Sequence, residues 1–141
     1  MIRPLVVFAI TMAYASIVRA GDTQPPCLSY EPTQVTIEGS IERKTFPGRP
    51  NYESVASGDE PETYWLLNLT APICVAGPPD ELNSPEEDVS QVQLILNGEQ
   101  YAQYKHLVGH RVRATGTLMH SITAHHKTPV LLSVQGLFPS S

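Results

Sequence analysis

Residues 35–41 read VTIEGSI, and the fold turns on how this stretch is read. Val35, Ile37, Gly39 and Ile41 alternate with Thr36, Glu38, Ser40 and Glu42. Period two with one apolar side marks an antiparallel strand covered on one face. The glycine in the middle of the apolar side has no side chain to bury, so it marks a bend or a bulge. Residues 112–118, VRATGTL, follow the same pattern: a valine, a glycine four positions on, a hydroxyl residue, an aliphatic. These are two strands that each turn a corner at a central glycine, not an internal repeat.

Working outward, the first strand spans QVTIEGSIERKTF (34–46), and the proline- and glycine-rich PGRPNYESVASGDEP (47–61) is a long loop. Such loops in a compact domain often carry function. The second strand is ETYWLLNLTAPICV (62–75), with Trp65, Leu67 and Leu69 on one face and Tyr64 and Leu66 on the other, so both of its faces are expected to be covered. An acidic, proline-rich loop over 76–88 lacks the alternating acids and sixth-position glycine of a calcium loop. VSQVQLIL (89–96) is the third strand, with Val92, Leu94 and Leu96 inward. Asn97 followed by Gln100 is a capping-box pattern that opens a short helix. Tyr101, Tyr104 and Leu107 or Val108 form its packed face, and Gly109 closes it. HRVRATGTLMH (110–120) and TPVLLSVQGLF (128–138) are strands four and five. The expected fold is mainly β: a small five-stranded OB-fold-like barrel with one short helix between strands three and four. Sharp bends in its first and fourth strands are what a small barrel needs to turn corners. A five-stranded α+β sheet covered by one helix is the alternative. The single domain is expected over 35–138, after an N-terminal arm over 21–34.

Residues 1–20 are expected to lie outside the fold. A basic start, an uncharged apolar run over 4–18 and Val18-Arg19-Ala20 match a signal peptide cut after Ala20. The run is too short for a comfortable membrane span of about 20 residues, so no span is expected after cleavage. Cys27 and Cys74 are the two cysteines of the chain. An even count in an exported chain reads as one disulfide. Pairing strands one and two as a hairpin puts both cysteines at the same end.

The formal net charge of −5 argues against nucleic acid as a partner. All fourteen acids precede residue 100, whereas residues 100–141 hold Lys105, Arg111, Arg113, Lys127 and all five histidines. The two parts either attract each other within one fold or present a cationic face to an anionic ligand.

TFPGRPNYESVASGDEPETYWLL, ICV and VQLIL…EQYAQYKHLVGHRVRATGTLMHSITAHHKTPVLL together resemble the bacterial domain-of-unknown-function family numbered 4431. The resemblance covers nearly all of residues 27–134. It is most specific at Phe46–Trp65 and at His125-His126-x-Thr-Pro-Val-Leu-Leu. It implies a small exported bacterial protein, hence a periplasmic location, and no catalytic activity.

No nucleophile-elbow serine, serine–lysine pair or assignable acid–base pair stands in the sequence, so no enzyme is expected. The OB-fold reading puts a binding surface between the first loop and the loop joining strands four and five. These loops supply Arg49, Asn51, Tyr52, His125, His126 and Lys127, which suit a small anionic or sugar ligand or the rim of an envelope protein. The function expected is therefore a non-catalytic exported binding module without cofactor. Two alternatives stay open. His120, His125 and His126 could meet across the hairpin as a zinc or copper site. A compact, acidic, disulfide-linked domain also suits an envelope enzyme inhibitor or immunity-type protein.

Overall fold

The computed structural model describes residue 21 and residues 25–77 and 82–141. The expected signal peptide lies outside the described residues, as do residues 22–24 of the arm and 78–81 of the acidic loop.

The chain is mainly β. Strands β1 (Leu28–Ser29), β2 (Gln34–Pro47), β3 (Pro61–Ala76), β4 (Glu86–Ile95), β5 (Arg111–His120) and β6 (Val130–Pro139) form one mixed sheet in the order β1-β3-β2-β5-β6-β4. A further pairing joins β3 to β4, so each of the five long strands has a long partner on both sides. All pairs among these five are antiparallel except β4–β6, which is parallel. The one α-helix among the described residues, α1 (Gly98–Tyr104), connects β4 to β5, as expected.

The sequence reading did not place β1. The arm is drawn into the sheet by the Cys27–Cys74 disulfide, which sets Leu28 against Val75 in parallel register. Tyr30 follows into the core, and its hydroxyl donates to the Ser84 carbonyl at 2.6 Å. Burial, reinforced by the charge of Glu86, pushes that phenol up to about 12.

Gly39 sits where β2 changes neighbour. Residues before it pair with β5, and residues after Ser40 pair with β3. A Cβ at Gly39 would overlap the Asn68 carbonyl oxygen, so the close approach of the two backbones requires glycine. Gly116 lies against the Ser133 carbonyl in the same way, at the register shift of the β5–β6 ladder.

Inside, Val35, Ile37, Ile41, Leu67, Val92, Leu94, Val112, Leu118 and Leu132 form the core. Each contributes about 1.5–3 kcal/mol by leaving water. The helix begins with the expected capping box: Asn97 accepts from the Gln100 N–H, and the Gln100 side chain accepts from the Asn97 N–H. Tyr101 packs edge-on against Trp65 at 5.0 Å. The helix passes into a 3-10 turn over Lys105–Leu107 before Gly109, whose φ of 83° reverses the chain.

The opposite face of the sheet is also covered in one place. Leu66, Gln93 and Leu131 stand side by side across β3, β4 and β6, and none is more than 2 % exposed. Leu66 and Leu131 lie outside the inner cluster, so β3 is buried on both faces, as its sequence implied. Among the described residues no helix is long and apolar enough to cross a membrane.

Candidate functional site

The loop between β2 and β3 is folded around Asp59, which is only 4 % exposed. Its carboxylate accepts the backbone N–H groups of Asn51 (2.9 Å), Glu53 (2.7 Å) and Ser54 (2.9 Å). These three hydrogen bonds hold its pKa below the usual carboxylate value against the opposing effect of burial. Gly58, at φ 109°, supplies the left-handed residue that brings Asp59 back under the loop. Tyr52 is held at φ 58° within this frame. A non-glycine residue there costs on the order of 1–2 kcal/mol. The frame bears that cost and presents the ring at the top of the loop.

The loop between β5 and β6 is closed by the Ser121 N–H bonding the Pro129 carbonyl at 2.9 Å. Buried Gln93 of β4 fastens it from below. The Gln93 side chain accepts the Lys127 N–H at 2.6 Å and donates to the His125 carbonyl at 3.2 Å. The Gln93 N–H in turn donates to Thr128 Oγ1 at 2.8 Å, and that hydroxyl donates to the Val130 carbonyl. Within the loop, Lys127 Nζ donates to the Ala124 carbonyl at 2.7 Å.

The two loops meet. The Tyr52 and His125 rings are edge-on at 5.8 Å. Lys127 Nζ lies 5.2 Å from the Tyr52 ring, 5.7 Å from Phe46 and 5.8 Å from Tyr64, within cation–π range of all three. Glu62 of β3 completes the group. Its Oε2 accepts from the Tyr64 hydroxyl at 2.7 Å and lies 3.1 Å from His125 Nδ1, which is 3.2 Å from the Tyr64 oxygen. The Tyr64 hydrogen bond first, then His125 and Lys127, hold the Glu62 carboxyl below its usual value. Burial and that same carboxylate push the Tyr64 phenol well up. The result is a half-exposed surface of three aromatic faces, an anchored carboxylate, an imidazole and an ammonium.

Of the six residues expected at a binding surface, Tyr52, His125 and Lys127 come together. Arg49 and Asn51 lie exposed on the Asp59-held loop, and Asn51 gives its backbone N–H to the Asp59 frame. His126 is half-buried within its own loop, where its Nδ1 accepts the Ile122 N–H at 3.0 Å. Burial, then the neighbouring His125, lower its pKa from the usual 6.5. The three histidines considered for a metal do not converge. His120 pairs with Glu86 at 2.8 Å beside Tyr30, His125 with Glu62, and His126 with its own loop. Among the described residues no three His, Cys, Asp or Glu side chains are arranged to hold a metal ion. The sequence reading passed over Phe46, Asp59, Glu62, Tyr64 and Gln93. The Ser-Gly-Asp turn over 57–59 is a signal for an aspartate folding its own loop. Nothing local marks Gln93, which alternation places on a polar face.

Residues 91–137 match the family model of a domain of unknown function, DUF4431. No curated protein and no solved structure matches the chain.

Proposed function

We propose that this protein is an exported, non-catalytic binding module, built as an OB-fold-like barrel, that takes an oligosaccharide on the surface between its β2–β3 and β5–β6 loops. The observation that carries the reading is the meeting of Tyr52 with His125, with Lys127 held among Phe46, Tyr52 and Tyr64. The two-sided pairing of the five long strands, the parallel β4–β6 pair and the helix before β5 support the barrel. In such barrels the corresponding loops flank the ligand face. Aromatic faces pack on sugar rings, while the Glu62 and His125 side chains exchange hydrogen bonds with hydroxyls. Exposed Arg49 on the same loop as Tyr52 suits an acidic sugar. The disulfide supports an oxidising compartment and hence export.

The test is a titration of isotopically labelled protein with chitotetraose and with a tetragalacturonate, followed by amide chemical shifts. Saturable shifts at Tyr52, Tyr64, His125 and Lys127 are expected, with affinity falling about tenfold in Tyr52→Ala, as for a buried aromatic anchor. No saturable shift with either sugar, or equal affinity in Tyr52→Ala, overturns the reading.

A further inference from the structure

β2 and β3 separate beyond the Gly39–Leu69 pair. Among the described residues, Gln34–Glu38 of β2 pair with β5 alone, and Thr70, Ala71 and Pro72 of β3 have no ladder partner, because the β3–β4 register slips between Asn68 and Ile73. Among the described residues no strand fills the space between these two stretches. It is occupied by a cleft of about 660 Å³, within the size range of ligand sites. Its walls are Thr36–Glu38 of β2 and Leu69–Cys74 of β3, and Leu28 and Pro26 close one end. Ile37, Leu69 and Ile73 supply the apolar lining. Glu38, Glu87 and Asp88 also line it. Arg111 reaches Glu38 only as an exposed pair at 3.4 Å. None of the loop-surface residues takes part.

A strand edge with free N–H and C=O groups is a template for another strand. An apolar floor beneath it accepts the alternate side chains of an extended peptide. The acids select the partner. A second copy of this chain would bring the same carboxylates against these, and like charges across a strand pair are destabilising. A basic segment is complementary to them. We propose that the cleft between β2 and β3 is a strand-addition site for an extended peptide in which basic and apolar residues alternate.

The test uses the full, disulfide-linked protein and three acetylated, amidated pentapeptides: Lys-Val-Lys-Val-Lys, Glu-Val-Glu-Val-Glu, and the lysine peptide N-methylated at alternate backbone nitrogens. Saturable binding of the lysine peptide is expected, with shifts and slowed amide exchange centred on Thr36–Glu38 and on Thr70, Ala71 and Ile73, Pro72 having no N–H. The glutamate and N-methylated peptides should each bind at least about tenfold more weakly, because one lacks charge complementarity and the other the main-chain donors. In Glu87→Gln/Asp88→Asn, binding of the lysine peptide should fall several-fold and lose part of its salt dependence; asparagine tolerates the left-handed backbone of Asp88, at φ 52°. Absence of saturable binding, equal binding of either control peptide, unchanged binding in the double variant, or shifts centred on the β5–β6 loop overturns the proposal. So does concentration-dependent protection of the same amides without peptide, which assigns the edge to a second copy.

Discussion

Replacing Gln93 by leucine tests how the binding surface is held. The side chain is about the right size for the slot between Leu66 and Leu131, so the substitution removes polarity more than volume. It orphans the Lys127 N–H, now bonded at 2.6 Å. Leaving such a group without a partner costs about 1–3 kcal/mol. The His125 carbonyl, on an exposed residue, returns to water at little cost. New apolar contact with the two leucines offsets on the order of 1 kcal/mol. With the middle of that range, about 2 kcal/mol, as the cost, the net loss is about 1 kcal/mol, a factor of roughly 5 in an opening equilibrium. It should fall on the loop, since Thr128 Oγ1 still holds the Gln93 N–H and the strands stay paired. Native-state hydrogen exchange should show the Lys127 amide exchanging faster by that factor, with a smaller decrease in the urea midpoint. Thr128→Val, which orphans the Gln93 N–H, should loosen the same loop, and the two losses should combine less than additively. Unchanged exchange at Lys127 in Gln93→Leu refutes the clamp. A lowered urea midpoint with unchanged loop exchange moves the role of Gln93 from the loop to the sheet.

Gly39→Ala drives a methyl group into the Asn68 carbonyl and should cost about 1–3 kcal/mol in urea unfolding, whereas Gly98→Ala, with open space around it, should cost far less. Reducing the Cys27–Cys74 disulfide, with its sequence separation of 47, should remove up to about 4 kcal/mol and release the arm from β3, which amide exchange at Leu28 and Val75 would report. Asp59→Ala should free the Asn51, Glu53 and Ser54 amides and broaden the Tyr52 signals; protected amides in that variant contradict the frame. Because the His126 pKa is lowered in the fold, its contribution to stability is complete above the unfolded value of 6.5 and is lost as pH falls through the folded value. Its ring should therefore titrate below 6.5 by NMR, and the loop should loosen as it charges.

Period-two patterns made the five long strands legible, and the Asn97–Gln100 pair made the helix start legible, because both signals are local. Gly39 and Gly116 were legible as special positions, while the reason for them, contact with carbonyls on other strands, required the fold. Half of the surface followed from loop adjacency alone: Tyr52, His125 and Lys127 meet as the strand order implied. Phe46, Glu62 and Tyr64 were missed because they belong to strand ends, and a strand residue gains its surface role only when a neighbouring loop folds over it. Gln93 was missed for the same reason in reverse. A polar residue at an outward position became buried when residues 121–129 closed onto the sheet. The short β1 depends on a covalent link to a distant strand and leaves no periodic trace.

The parallel pairing of β4 with β6 also sets an order of assembly. As the chain emerges from its N-terminus, β2 and β3 can form their ladder early, and β4 can join β3. The far edge of β4 waits until the helix, β5 and β6 have all been made. During that interval Leu94 lacks its Leu132 neighbour, on a strand whose edge is open to other chains. Until β6 docks, that edge stays open to pairing with other chains, so late docking of β6 favours misassembly.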